Sequence, residues 1–155
     1  MKVVYFSYWG TYAAYLMASL HVKAYPGGCC PGSSLAERQY ALCRRYDLQF
    51  GNMLFVGLDD CLREVYCIGC KRHSAMVIRA QQHINSIFNI NEEIYYVDAS
   101  RHEGSFPKLM STLSGFIDSD AFWKPLFNHW FKAVYGRCES QVEKYIKAMK
   151  GGVNS

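Results

Sequence analysis

The chain opens with an apolar run whose spacing changes character at a single glycine. Residues 2–8, KVVYFSY, are β-branched or aromatic at nearly every position, which is typical of a central strand covered on both faces. From Thr11 to His21 the apolar residues follow helical spacing on almost every side, which predicts a largely buried helix. Gly10 separates the two segments and predicts a sharp turn from strand to helix.

Strand-like and helix-like segments alternate along the rest of the chain. The patterns predict a Gly- and Pro-rich loop at 24–34, followed by a helix from Ser34 to about Arg45 with a capping box completed by Glu37. Next they predict two strands within 52–69 around a turn at Asp59–Asp60, and a helix that is capped by Ser74 and has Val77, Ile84, Ile87 and Phe88 on one face. The last predicted elements are a strand at 93–100, a helix from Pro107 to Ile117, a strand at 125–134 and a terminal helix marked by Val142, Tyr145, Ile146 and Met149. For 125–134 a helix is the alternative.

This order predicts an α/β fold: a single three-layer domain with a mostly parallel sheet, a central β-hairpin and helices on both faces. Neither an internal repeat nor a long linker divides the chain, so we expect one domain over residues 1–150 and a flexible tail at 151–155.

Composition narrows the class of protein. Half of the 155 residues are apolar, which excludes a disordered chain and supports a real core. The net charge is +4 without a run of Lys or Arg, which disfavours a nucleic-acid partner, and no apolar run approaches the roughly 20 residues that span a bilayer. The odd number of cysteines, seven, favours a reducing, cytoplasmic compartment over secretion. A signal peptide beginning at Lys2 is the alternative.

Candidate ligand-binding residues follow three predicted strands at the points where each strand ends. In α/β folds ligands bind at the carboxyl ends of the strands, and helix N-termini there suit anions. The candidates are Ser7, Tyr8, Trp9, Gly10, Thr11 and Tyr12 after the first strand, Lys71, Arg72 and His73 after the hairpin, and Asp98, Arg101 and His102 after the strand at 93–100. If the three strands are parallel neighbours, these loops meet in one basic rim that suits phosphate oxygens, with aromatic rings available to stack on a base.

The strand-to-helix turn around Gly10 does not match a known phosphate-binding motif. Neither G-x-x-x-x-G-K-[ST] nor G-x-G-x-x-G occurs, so a P-loop and a dinucleotide fingerprint are both excluded. The alternative interpretation is an ordinary strand-to-helix turn that Thr11 caps, with solvated basic residues around it.

The string Cys67-Ile68-Gly69-Cys70 followed by His73 is the candidate metal site. Zinc would need a fourth ligand, such as Cys29 or Cys30. Along a continuing strand Cys67 and Cys70 point to opposite faces, which favours core packing over metal binding. We therefore expect neither a metal nor another cofactor.

Catalytic chemistry has weaker support. The chain has no G-x-S-x-G elbow, and the candidates for a general base are His73 or His102, oriented by Asp98. Asp98 equally suits a role in bracing its loop. His21 and His83, both inside predicted helices, are expected to be structural.

The segment VVYFSYWGTYAAYLMASLHVKAYP resembles the opening of the bacterial family called domain of unknown function 3189, and FVGLDDCLREVYCIG and YYVDAS resemble its middle hairpin and a later strand exit. Gly10, Ala18, His21 and Pro26 fit the family frame. The family's turn usually carries a second glycine, a histidine and two serines where this chain has Trp9, Tyr12, Ala13 and Ala14. That departure favours binding over retained catalysis.

The resulting expectation is a cytoplasmic protein that binds, and thereby senses or sequesters, a small anionic and nucleotide-derived ligand, as a phage or mobile-element protein would capture a signalling nucleotide. One alternative is a hydrolase or transferase acting on a phosphorylated or nucleotide substrate. Another is a protein–protein interaction module whose surface aromatics, such as Trp123 and Trp130, meet a partner. Self-association stays open.

Overall fold

The structure is a computed structural model, and it describes residues 1–22, 32–46 and 50–151. The predicted loop at 24–34 lies outside the described residues as far as residue 31. The predicted tail at 151–155 also lies outside them, apart from Gly151, where the last helix ends.

A four-stranded mixed sheet forms the centre of the fold. Its strands are β1 (Lys2–Ser7), β2 (Met53–Leu58), β3 (Glu64–Gly69) and β4 (Ile94–Asp98), in the order β2-β3-β1-β4. The central strand β1 runs parallel to both β3 and β4, and β2 pairs antiparallel with β3 as the predicted hairpin. The prediction of an α/β fold with a mostly parallel sheet is confirmed.

Helices surround this sheet. They are α1 (Ala13–His21), α2 (Gly32–Tyr46), α3 (Ser74–Ile87), α4 (Phe106–Leu113) and α5 (Asp120–Gly151), with a short 3₁₀ turn at Ser100–His102 between β4 and α4. Within the described ranges no helix combines the length and the apolar character needed to cross a bilayer.

The two faces of β1 are covered unequally, because its side chains alternate between them. Val3 and Tyr5 are fully buried in the main core, which α1, α2 and α5 complete. Val4 and Phe6 belong to a smaller cluster on the other face, where α3 contributes partly buried residues such as Val77. No residue of α3 is fully buried, so this face is thinly covered.

The predicted strand at 125–134 is wrong, and the alternative, a helix, is correct. The segment belongs to α5. Its buried positions recur at helical spacing over the whole helix: Trp123, Phe127, Trp130, Phe131, Val134, Cys138, Val142 and Met149. Trp123 and Trp130 are therefore core residues, and the prediction of these two as surface aromatics is wrong as well.

Helix starts also differ from the predicted caps. The first helix begins at Ala13 and has no side-chain cap, so Thr11 does not cap it. The second begins at Gly32, before Ser34, and the third begins at Ser74 itself with His73 as the cap residue.

Candidate functional site

The three predicted strand exits lie at one edge of the sheet. Ser7 at the end of β1 pairs with Gly69 at the end of β3, and Phe6 pairs with Asp98 at the end of β4. The chain stays in contact beyond the strands: the N–H of Cys70 donates to the carbonyl of Ser7 at 2.9 Å. The parallel register thus brings the loops after β1, β3 and β4 together, as the alternation of strands and helices predicts.

Gly10 and Gly69 form the tightest contact at this edge. Gly10 has a φ of +80°, a conformation that other residues rarely adopt. A Cβ added to Gly10 would lie 2.4 Å from the backbone nitrogen of Gly69, and one added to Gly69 would lie 2.6 Å from the carbonyl oxygen of Trp9. Both positions require glycine because backbone packs directly on backbone.

A cavity of about 370 Å³ opens beside this glycine contact. That volume is within the range of small-molecule sites. Its lining comes from three segments: Trp9, Gly10 and Thr11 from the turn after β1, Gly51, Asn52, Met53 and Leu54 from the start of β2, and Cys67, Ile68 and Gly69 from β3. Three of the predicted ligand-binding residues, all from the first turn, therefore line it.

Thr11, one of the lining residues, carries a buried hydroxyl. The residue is 6% exposed, and its Oγ1 is buried without a hydrogen-bond partner among the residues that the structure describes. A buried hydroxyl left unpaired costs about 1–3 kcal/mol. The Thr11 hydroxyl is therefore a candidate donor to a ligand that accepts a hydrogen bond.

Aromatic rings and one lysine stand next to the cavity. Trp9 lies against Phe50 with ring centroids 5.7 Å apart, and Tyr8 contacts both rings edge-on. The ammonium group of Lys71 lies 4.2 Å from the centroid of Phe50. Lys71 adopts a φ of 50°, and its N–H donates to the carbonyl of Tyr8 at 3.0 Å. The predicted residues Tyr8, Trp9 and Lys71 thus form one cluster with Phe50, which the sequence patterns did not indicate.

Glu103 holds the first turn from the other side. Its carboxylate accepts hydrogen bonds from the hydroxyl of Ser7 at 2.6 Å and from the N–H groups of Tyr8 and Trp9, each at 3.2 Å. Ser7 in turn accepts the N–H of Gly10 at 3.0 Å. The carboxylate of Glu103 therefore already accepts the backbone N–H groups of Tyr8 and Trp9, and Ser7, fully buried, serves the turn itself.

The ionisation of Glu103 is displaced toward neutral pH. Burial raises the pKa of Glu103 to about 7, against the lowering effect of the hydrogen bonds from Ser7, Trp9 and Tyr8; the charge of Asp98 raises it further. The indole N–H of Trp130 also donates to the backbone carbonyl of Glu103 at 3.1 Å. A titratable group is thus fixed between the first turn and α5.

The residues after β4 lie on the other side of β1 from the cavity, and none of them lines it. Asp98 accepts the N–H of Ser100 at 2.8 Å and so braces its own loop. Burial is the main cause that lowers the pKa of His102, and the positive charges of Arg137 and Arg101 lower it further. The negative charge of Asp98 acts in the opposite direction and raises this pKa. Arg101 is exposed there.

The remaining candidates have simple surroundings. Arg72 and His73 are exposed at the start of α3. Tyr12 is buried in the main core, where its hydroxyl donates to the sulfur of Met110. Tyr12 is therefore placed in the core and lies outside the cavity lining.

Cys67 and Cys70 are buried on opposite faces of the sheet, Cys67 in the main core and Cys70 in the smaller cluster. Burial raises the pKa of Cys67 to about 12 and that of Cys70 to about 11, so both favour the thiol over the metal-binding thiolate. The described residues contain no group of three metal-ligating side chains, and Cys29 and Cys30 lie outside them.

A second polar cluster lies at the C-terminal end of α1. The Tyr5 hydroxyl and His21 Nδ1 are 2.8 Å apart, and His21 Nε2 lies 3.3 Å from the carboxylate of Asp59, outside hydrogen-bonding geometry. Asp59 accepts hydrogen bonds from the Arg63 side chain at 2.6 Å and from two backbone N–H groups of the hairpin turn. Burial lowers the pKa of His21, which favours the neutral ring; a structural role for His21 stays a prediction.

The family assignment fits this architecture. A family model described as "Protein of unknown function (DUF3189)" matches residues 2–147 of the 155-residue chain. The chain belongs to this family. No curated protein and no solved structure matches it. The resemblance inferred from the first turn, the hairpin and the later strand exit is thereby confirmed.

Two features expected of DUF3189 members can now be placed in the structure. His21 is the histidine of the family frame and lies between Tyr5 and Asp59, whereas Pro26 lies outside the described residues. At the positions where this chain departs from the family's turn, Tyr12, Ala13 and Ala14 are buried. Polar side chains at these three positions would face the interior of this protein.

Proposed function

We propose that the protein binds a small anionic, nucleotide-derived ligand in the cavity beside Gly10 and Gly69, and releases it chemically unchanged. The observation that carries the proposal is the buried Thr11 hydroxyl, which has no partner among the described residues and belongs to a residue that lines the cavity. In a protein that only needs to fold, such a group is a net cost. A ligand that accepts a hydrogen bond from it would offset that cost.

Two further features match the chemistry of this ligand class. Trp9 supplies an aromatic face at the cavity, and Tyr8 and Phe50 extend the cluster. Lys71 places a positive charge against the same cluster.

Binding without catalysis is favoured by the positions of the ionisable groups. Ser7 and Glu103 form the short hydroxyl–carboxylate pair at this edge, but both are buried and neither lines the cavity. His102 and Asp98 follow β4 and are absent from the lining. Sensing or sequestering a signalling nucleotide, including in a phage or mobile element, is the role that a non-catalytic site of this kind would serve.

The direct test is mass spectrometry of the small molecules released from the purified, denatured protein. We expect an intact phosphorylated nucleoside derivative in the released fraction. Titration calorimetry with a nucleoside monophosphate, the matching nucleoside and inorganic phosphate then separates the contributions of base and phosphate. Recovery of a hydrolysed or transferred product after incubation would support the enzyme alternative instead.

Thr11→Val should separate function from stability. Valine keeps the shape of the side chain and removes the unpaired hydroxyl, so we expect the free protein to unfold at an equal or higher temperature. The same change should weaken nucleotide binding by about tenfold or more, because a hydrogen bond to a charged group is worth roughly 1.5–3 kcal/mol. Thermal unfolding and calorimetry measure the two effects.

Lys71→Ala should weaken binding of the monophosphate but not of the nucleoside. Its matched control is Lys147→Ala, an exposed lysine near the end of α5 that takes no part in the cavity lining. Equal affinities for all three proteins would contradict the role given to Lys71. Unchanged binding by Thr11→Val would contradict the proposed site.

A further inference from the structure

We propose that the protein forms a two-fold symmetric dimer in which the α3 helices of two copies pack antiparallel through their outer faces. The proposed dimer does not require the ligand proposed above. On the α3 side the sheet is covered by a helix that has no fully buried residue.

A second apolar stripe runs along α3 on its solvent side. Met76, Ala80, Ile84 and Ile87 recur at spacings of four, four and three residues, which places them on one face of the helix. We call these four residues the outer stripe. All four are exposed, whereas Val77 and Ile78 are partly buried against the smaller core cluster.

The exposed area of this surface is unusual for the surface of a monomer. Met76 is 67% exposed, Ile84 52%, Ile87 74%, and Phe88, directly after the helix, 69%. Side chains of this size present on the order of 100 Å² each at such exposures, so together they supply about half of the roughly 800 Å² that each partner buries in a standard interface. The polar neighbours Arg79 and His83 would form the rim, as in known interfaces.

Charge along the helix favours a second copy of the chain over other occupants. Arg72 precedes α3, Arg79 lies in its first half, and Glu93 follows it before β4, next to Glu92, which pairs with Lys2 at 2.7 Å. Arg72, Arg79 and Glu93 are exposed. An antiparallel two-fold pairing therefore brings the basic start of each helix to the acidic end of its partner, and it also opposes the two helix dipoles favourably.

The outer stripe itself suits close packing. It contains no charged residue, and Ala80 near its middle leaves room for the facing side chains of a partner helix. Because the same stripe would be buried on both copies, the contact is closed and does not propagate into a filament.

Analytical ultracentrifugation over a concentration series tests the proposal. The wild-type protein should sediment with twice the mass of one chain at the upper concentrations. Ile84→Glu and Ile87→Glu should each raise the dissociation constant of the dimer by about tenfold or more, because each would bury an unpaired carboxylate. Phe116→Glu is the matched control, since Phe116 is 86% exposed outside the outer stripe, and it should leave the dimer intact.

Circular dichroism establishes that each variant is folded, and Ile87→Glu is the safer of the two because Ile87 is the more exposed residue. A wild-type protein that stays monomeric throughout the series would overturn the proposal. Dimers that survive both α3 substitutions would overturn it too. A monomer that binds vesicles of anionic phospholipid, and loses that binding in the two variants, would assign the outer stripe to a membrane surface instead.

Discussion

Replacing Gly10 with alanine should reduce the free energy of unfolding by about 2–5 kcal/mol. The left-handed backbone at φ +80° costs a non-glycine residue roughly 1–2 kcal/mol. The added Cβ would also lie 2.4 Å from the backbone nitrogen of Gly69, and relieving such an overpacked contact costs typically 1–3 kcal/mol more. Urea unfolding followed by circular dichroism measures the loss.

Two other glycines provide matched controls. Gly104 also has a positive φ, +66°, but an added Cβ would meet no described atom within 4 Å, so Gly104→Ala should show the conformational cost alone. Gly136 lies inside α5 in open space, and Gly136→Ala should stabilise the protein by about 0.5–1 kcal/mol. Equal losses for Gly10→Ala and Gly104→Ala would show that the contact with Gly69 contributes nothing.

The elements that sequence patterns predicted well are those whose signal is local. Residues 2–8 are apolar on both faces because β1 is the central strand, flanked by β3 and β4. The hairpin turn at Asp59–Asp60 is also local, since the carboxylate of Asp59 accepts the N–H groups of Cys61 and Arg63. In both cases the signal lies in consecutive residues, so a short stretch of sequence is enough to recognise it.

The strand prediction for 125–134 is wrong because the local composition of the segment favours a strand, whereas the spacing of buried residues over the whole of α5 is helical. Aromatic residues such as Phe127 and Trp130 favour strands in a short window. The helical spacing becomes clear only when Trp123 and the buried positions as far as Met149 are read together. A window as long as the helix would have indicated the correct structure.

The site was predicted in part for a similar reason. The rule that ligands bind where parallel strands end indicated the turn with Gly10 and Thr11. It did not indicate Glu103, which is 96 positions from its partner Ser7, or the wall of the cavity that Gly51 and its neighbours form. The available signal in the sequence was that Glu103 is an acidic residue directly after the basic residues Arg101 and His102. Only the tertiary structure shows that its carboxylate meets the hydrogen-bond donors of the first turn.

Stability should fall as the pH rises through 7, because of Glu103. Its folded pKa of about 7 exceeds the unfolded value of 4.5, so the folded protein holds an extra proton between these values. The contribution is therefore fully present below pH 4.5 and is lost as the pH rises through 7. A shift of this size corresponds to on the order of 3 kcal/mol. His21 acts in the opposite direction: its lowered pKa gives a contribution that is present above 6.5 and lost as the pH falls below it.

Glu103→Gln isolates the first effect, because glutamine keeps the shape of the carboxyl group without its charge. The difference in unfolding free energy between wild type and Glu103→Gln should change across pH 4.5–7.5, whereas His21 cancels from that difference. Glu143→Gln, which removes an exposed carboxylate from α5, is the control and should follow the wild-type profile. The backbone N–H of Trp9 donates to the Glu103 carboxylate. The fluorescence of Trp9 should therefore report the ionisation of Glu103 in the folded protein. A wild-type profile parallel to that of Glu103→Gln would mean that Glu103 stays ionised, and that the three donors of the turn outweigh its burial.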